Sequence, residues 1–364
     1  MLPESDRRVE AALDAMKRGG MVVVIDDHDR EGEGDIIAAA STVTPEQMAF
    51  IVRHTSGIVC TPISGERAAK LHLDPMVALN DSAHTTAFTV SIDFKHGTTT
   101  GISAEDRTAT VRALTNGNVA AEDFARPGHI FPLIARRGGV LMRSGHTEAA
   151  VDMCRLAGLP DVGVICELVN DNGTVTRGQE VTDFAQKHDL PLVSVADLIA
   201  YRQRREKLVE RVGTFAIETV AGKAMAYAYS TPFDRVQHLA LVFGDVSKGE
   251  AIPVRLQRED ITLDVFGGAS RLNESLKNLA QTGGVLVYLR EGTAGVAWQD
   301  ESATHPRGDE DHGSARDREA EWREVGLGAQ ILRDLGIVSI RPMTLRSRRY
   351  VGLDAFGITI VSES

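Results

Sequence analysis

Asp26-Asp27-His28-Asp29-Arg30-Glu31-Gly32-Glu33-Gly34-Asp35 follows directly on Met21-Val22-Val23-Val24-Ile25. The apolar run is β-branched and short, which predicts a buried strand. The ten residues behind it hold six carboxylates and two glycines. So many negative charges in one short span repel each other unless a cation, a basic partner or water lies between them. One reading is a site for a hard divalent cation, because Mg²⁺ and Mn²⁺ take oxygen ligands. The other is a solvated acidic loop, with Arg30 offsetting part of the charge. Composition admits both.

The 364 residues give room for two domains, each with its own core. A net charge of −11 argues against nucleic acid as a partner, since phosphate backbones select basic faces. No apolar stretch is long enough to span a bilayer, and the N-terminus lacks the basic and apolar segments of a signal peptide. Three cysteines, Cys60, Cys154 and Cys166, are too irregularly spaced for a disulfide framework. These features predict a cytoplasmic enzyme with no membrane partner.

Arg7 to Arg18 has helical spacing at Val9, Ala12, Leu13 and Met16, and Gly19-Gly20 ends it. Thr44-Pro45-Glu46 starts a second helix, with proline just inside. Phe88 to Asp93 alternates apolar and polar, as a half-buried strand does. Thr98-Thr99-Thr100-Gly101-Ile102-Ser103 precedes an acidic helix start; it either accepts phosphate or caps the helix, and capping is the commoner use. His129, between Pro127-Gly128 and Ile130-Phe131, is stiffly held, as a structural histidine or as a general acid or base. From Gly138 to Ala149 the pattern is a short strand, a tight turn and a helix. Arg143, the hydroxyls of Ser144 and Thr147 and the amides around Gly145 gather where that helix begins, which is the layout of an anion site. His146 lies close enough in sequence to share it. Val162 to Cys166 reads as a strand that delivers Glu167, a carboxylate either paired or raised in pKa. Ala196 to Val209 reads as a helix with a basic end, suited to connecting two domains.

Asp29–Asp35, Arg53–Cys60, Arg126–His129, Arg143–Ala149, Cys166–Leu168 and Asn170–Gly173, in this order, resemble 3,4-dihydroxy-2-butanone 4-phosphate synthase over about residues 5 to 205. Gly32 departs from the asparagine common in that family but leaves its neighbours intact. The resemblance implies a lyase of riboflavin biosynthesis that takes D-ribulose 5-phosphate to 3,4-dihydroxy-2-butanone 4-phosphate and formate with Mg²⁺ or Mn²⁺. It implies Glu31 and His146 as metal ligands, and Arg30, Glu31, Asp35 and Glu167 as sugar contacts. Arg143, Ser144, Gly145, His146 and Thr147 become the segment that grips substrate, and His129 and Glu167 the residues essential for catalysis. A homodimer with active sites near the subunit boundary is implied as well. Cys60, behind Ile58-Val59, fits packing better than a role in the site.

The second half has a different pattern. His238 to Val246 and Ile252 to Leu256 read as antiparallel strands, Gly284 to Arg290 as a buried strand, and Ala269 to Asn273 and Val325 to Leu332 as helix starts. About residues 212 to 361 resemble GTP cyclohydrolase II, whose zinc is held by three closely spaced cysteines. The matching stretch, Gln257 to Gly268, has no cysteine. His238, His305 and His312 have no recognisable zinc-ligand spacing, and Gln299 to Glu321 is a polar loop. We therefore expect α+β architecture in both halves, with mixed sheets packed against helices. The expected domains are 1–205, the synthase, and 206–364, a cyclohydrolase-like domain without zinc or activity that serves dimer contacts or regulation. The alternative is a bifunctional enzyme that also hydrolyses GTP.

Overall fold

The computed structural model describes residues 3–26, 32–81, 86–232, 236–266, 270–290, 325–343 and 353–361. Arg30, Glu31, His305, His312 and the stretch Gln299 to Glu321 lie outside the described residues. The chain divides into two units, one built on Met1–Tyr201 and one beginning at Arg202.

In the first unit the apolar stripe Val9, Ala12, Leu13 and Met16 is buried along α1 (Glu4–Lys17), and Gly19 turns the chain at φ 79°. The β-branched run becomes β1 (Val22–Ile25), and β2 (Gly34–Ala39) returns beside it antiparallel. α2 (Pro45–His54) starts on a capping box, Thr44 and Gln47 each bonding the other's backbone amide. Next come β3 (Cys60–Ile63), α3 (Gly65–Lys70), β4 (Ile92–Phe94), α4 (Ala104–Ala113) and β5 (Phe124–Ile134). α5 (His146–Leu156), β6 (Gly163–Glu167), α6 (Gln179–Lys187) and β7 (Leu192–Ser194) complete it, with α7 (Val195–Arg205), whose residues from Arg202 on belong to the second unit. The seven strands lie in the order β4-β5-β3-β6-β2-β1-β7, with parallel pairs β3–β5 and β1–β7 in an otherwise antiparallel sheet. Val23, Ile36, Val164 and Ile63 from the sheet form one core with Met48 and Ile51 of α2, Val111 of α4 and Val181 of α6. The alternation of the pleat sends Asp35, Ile165 and Glu167 to the opposite face, where α5 packs.

Two expected strands differ. Only Ile92–Phe94 forms a ladder; Phe88 and Thr89 make isolated bridges to Leu133 and Pro75, and the register against β5 shifts at Ile92/Asp93. Gly138 to Met142 is not a strand but a 3₁₀ turn at Gly139–Leu141, because Gly138 and Gly139 both take positive φ, 96° and 64°. That turn fits against buried Asp152, which accepts the Val140 amide at 2.8 Å; a Cβ on Gly139 would fall 2.1 Å from the same carboxylate.

The second unit also carries a mixed seven-stranded sheet among its described residues. β8 (Glu210–Thr219), β9 (Gly222–Ser230), β10 (His238–Phe243), β11 (Ile252–Arg258), α8 (Ser270–Thr282), β12 (Gly284–Leu289), β13 (Ser339–Pro342) and β14 (Thr359–Ile360) lie in the order β14-β13-β11-β12-β10-β9-β8. β10 and β11, expected as a pair, are separated by β12, which runs antiparallel to β10 and parallel to β11. The crossover through α8 accounts for this: it returns the chain parallel to β11 and slots the apolar β12 between the two. Leu276 and Leu279 of α8 pack on Phe243 and Leu286, and residues 325–334 form a further helix whose Gly328 lies against Leu256. Both units are thus α+β with mixed sheets, as the sequence predicts.

Candidate active site

Asp35, the second residue of β2, stands directly opposite Glu167, the last residue of β6. Cys60 pairs with Ile165, two residues before Glu167, so the pleat sets all four side chains on one face. α5 covers that face, and its first residue, His146, brings Nδ1 to 3.6 Å from Asp35 Oδ1, with the two side chains 7% and 2% exposed. A buried imidazole and a buried carboxylate thus meet at the positive end of a helix. Half-buried Glu167 is held by Ser56, whose Oγ donates to Oε2 at 2.9 Å and whose amide donates to the Glu167 carbonyl.

His129 sits two residues before Phe131, the partner of Cys60 on β5, where the β4–β5 register shifts and residues 126–129 leave the ladder. Its Nδ1 lies 2.7 Å from Asp93 Oδ2, and its amide donates to Asp93 Oδ1 at 2.9 Å. Gly101, at φ 90°, backs the pair so closely that a Cβ there would lie 2.0 Å from Asp93 Oδ2 and 2.7 Å from His129 Nδ1. The Thr98–Ser103 stretch realises the capping alternative: Ser103 accepts the Asp106 amide, while Asp106 accepts the amides of Thr99 and Gly101 and the Thr99 hydroxyl. These bonds hold the Asp106 carboxyl below its ordinary range, the Thr99 hydroxyl first among them.

The anion-site segment is more committed than its sequence suggests. Arg143 donates from Nη1 to Glu148 Oε2 at 2.7 Å and from Nη2 to Thr86 Oγ1 at 3.0 Å. Glu148, 1% exposed, also accepts the Arg136 amide at 3.0 Å. A Cβ on Gly145 would fall 2.5 Å from Arg143 Nη1, so the guanidinium crosses the helix start in the space that the missing side chain leaves. Ser144, Gly145 and Thr147 are buried beside it. At the acidic loop, the Glu33 amide donates to Asp26 Oδ1 at 3.0 Å, which ties its two ends, and Arg177 pairs with Glu33 at 2.8 Å. Counting His146 against Asp35, three of the six carboxylates have identified neighbours; Asp27, Asp29 and Glu31 lie outside the described residues.

Cys60 is both buried, at 2% exposure, and within electrostatic reach of Glu167 and Asp35. The sequence reading weighed packing against the site; the register supplies both at once. Burial pushes the thiols up, Cys166 to about 11 and Cys154 to about 12. The folded protein therefore keeps protons that the unfolded chain releases near pH 9. Stability is full below that pH and falls as pH rises through 11, by about 1 kcal/mol per pH unit for each thiol. Urea unfolding at pH 8 and pH 10.5 is expected to show the loss, with a shallower slope in Cys154→Ala; a slope unchanged by that substitution would contradict it.

Asp93, Ser56, Glu148 and Gly101 were not singled out by sequence reasoning. Each acts through a partner 5 to 111 positions away, except that Gly101 sat in a stretch read as a cap or phosphate turn. In the second unit, His238 accepts the Arg290 amide at Nδ1, and no cluster of three or more His, Cys, Asp or Glu side chains able to hold a metal occurs among the described residues. No described helix is long and apolar enough to cross a membrane.

A buried imidazole–carboxylate pair and a second carboxylate share one face of the sheet, beside a helix start that carries Arg143, Ser144 and Thr147. Residues 10–201 match the family 3,4-dihydroxy-2-butanone 4-phosphate synthase, and residues 210–364 match GTP cyclohydrolase II. The Bifunctional riboflavin biosynthesis protein RIBA 1 of Arabidopsis thaliana is 45% identical over 97% of this chain and 68% of its own length. The Monofunctional riboflavin biosynthesis protein RIBA 2 of the same plant is also 45% identical, over 97% of this chain and 75% of its own length. The crystal structure of RibBX, a two domain 3,4-dihydroxy-2-butanone 4-phosphate synthase from A. baumannii, superposes with TM-score 0.83 at 35% identity, covering 98% of this chain and 100% of that one. A crystal structure of 3,4-dihydroxy-2-butanone 4-phosphate synthase in complex with two magnesium ions gives TM-score 0.53 at 44% identity, over 54% of this chain and 97% of that one. The chain belongs to the 3,4-dihydroxy-2-butanone 4-phosphate synthase family, in the arrangement that fuses this domain to one of the GTP cyclohydrolase II family. It is an enzyme of riboflavin biosynthesis, a lyase.

Proposed function

We propose that residues 1–205 convert D-ribulose 5-phosphate to L-3,4-dihydroxy-2-butanone 4-phosphate and formate with Mg²⁺ or Mn²⁺, and that residues 206–364 carry no cyclohydrolase activity. The observation that carries the first part is buried His146 meeting buried Asp35 on the face that also bears Glu167. An imidazole nitrogen beside carboxylate oxygens suits a divalent cation, with Glu31 and His146 as its protein ligands. A cation there would polarise the sugar's carbonyl and acidify the neighbouring C–H.

The chain's own side chains do the rest. The reaction removes a proton beside a carbonyl, expels one water, migrates carbon, and takes one water back as the C–C bond to the one-carbon unit breaks and formate leaves. His129, Glu167 and Asp35 are the groups that take and return protons, the two carboxylates set on one face of the sheet. Arg143, with Ser144, Gly145 and Thr147 at the start of α5, holds the phosphate so that the reacting carbon faces them; Arg30 and Asp35 contact the sugar. The apolar strands behind these groups keep water from reactive dicarbonyl species. Free, buried thiols at Cys60, Cys154 and Cys166 suit a cytoplasmic setting. We take the working form as a homodimer, with the second domain serving contacts or regulation.

For that second domain the support is the absence of any cysteine after Cys166. One relative points the same way, the two-domain A. baumannii structure named for the synthase alone, whereas the RIBA 1 relative is named bifunctional. Formate release from ribulose 5-phosphate with Mg²⁺, abolished by EDTA and by Glu31→Ala, tests the synthase assignment; full activity in either case would refute it. The full chain given GTP is expected to release no formate and to hold no stoichiometric zinc. GTP-dependent formate with one zinc per chain would instead establish the bifunctional reading.

A further inference from the structure

We infer that Asp93 is a positioning residue that fixes the tautomer of His129 and leaves Nε2 free to exchange protons with substrate. The inference rests on the proposed role of His129 and extends it to a residue 36 positions away. Both Asp93 oxygens are spent on this one histidine: Oδ1 accepts the backbone amide at 2.9 Å and Oδ2 meets Nδ1 at 2.7 Å. A carboxylate is acceptor-only, so Nδ1 must carry the hydrogen and Nε2 keeps its lone pair. The ring cannot turn away. Gly101 blocks one side, and Gly128 is pressed onto the β4 backbone so tightly that a Cβ would lie 2.0 Å from the Ile92 carbonyl carbon. The Gly128 amide is further tied to Ser91 Oγ at 3.1 Å. The Asp93 side chain is 13% exposed and that of His129 41%, which places the carboxylate behind the ring and leaves the ring reachable. When Nε2 takes a proton, the charge gained on the ring faces the Asp93 carboxylate.

Asp93→Asn separates this role from packing. The His129 amide still needs an acceptor, so the asparagine oxygen takes the Oδ1 place and its NH₂ is set against Nδ1. That arrangement demands a lone pair on Nδ1 and drives the hydrogen to Nε2, the wrong nitrogen for a base. In ¹⁵N-histidine-labelled full chain, two-bond ¹H–¹⁵N correlations read the tautomer, with His129→Gln assigning the signals. The unmodified protein is expected to show Nδ1–H at His129 and Asp93→Asn to show Nε2–H. With the tautomer, kcat falls about 100-fold or more while KM stays within about threefold. An Nε2–H ring in the unmodified protein overturns the inference, even if the variant does not fold. So does an unchanged tautomer, or an unchanged kcat, in a folded Asp93→Asn. Full activity in His129→Gln would refute the catalytic role of His129 instead, and the tautomer measurement keeps the two failures apart.

Discussion

His146→Gln is expected to lower formate release from ribulose 5-phosphate by about 1,000-fold or more, with the protein still folded. Two physical consequences coincide at this position. The substitution removes an imidazole that is the proposed ligand of a divalent cation, and a cation's stabilisation of developing charge contributes several kcal/mol, each 1.36 kcal/mol being tenfold in rate. It also removes the group facing Asp35 at 3.6 Å in a pocket where both side chains are less than a tenth exposed. Glutamine keeps the length and polarity of the side chain and remains compatible with the first turn of α5, so loss of fold does not confuse the result. The check is steady-state formate production across Mg²⁺ and Mn²⁺ titrations. A rate within tenfold of the unmodified enzyme at saturating metal would contradict the ligand assignment.

Glu148→Ala is expected to cost stability more than any single substitution elsewhere in the anion segment, on the order of 3 kcal/mol. Glu148 is 1% exposed and serves two donors, Arg136 N and Arg143 Nη1. Alanine strips both of their carboxylate acceptor and leaves a largely buried guanidinium without its counter-ion. The same loss frees Arg143 from the geometry in which it meets the phosphate, so KM for ribulose 5-phosphate rises with the fall in stability. Glu148→Gln, which keeps an oxygen for the Arg136 amide, is expected to lie between the two. Urea unfolding and KM measured on the same preparations decide the matter. A loss below about 1 kcal/mol with unchanged KM would show that the pair is ornamental.

Much of the first unit was legible because its signals are local. The Val22–Ile25 run, the Thr44–Gln47 cap and the amphipathic stripe of Val9 to Met16 each state their structure within a few residues. What was not legible depended on register or on distant partners. Glu167 could be seen to end a strand, but that it stands opposite Asp35 is a property of the β2–β6 pairing. Arg143 reads in sequence as a fork aimed at a ligand; its ties to Glu148, five residues on, and to Thr86, 57 residues away, belong to the folded chain. In the second unit the whole β8–β9 hairpin was missed. β8 is exposed along most of its length and carries no clean alternation, so the period-two signal that marks a half-buried strand is absent.

His146 and an early carboxylate are assigned here as the holders of one divalent cation. Electron spin-echo envelope modulation of Mn²⁺ bound to the full chain tests this assignment most directly, because a coordinated imidazole couples its ¹⁴N to the metal. ¹⁴N modulation is expected in the unmodified enzyme and none in His146→Gln. Modulation that persists unchanged in His146→Gln, with formate still produced, would contradict it.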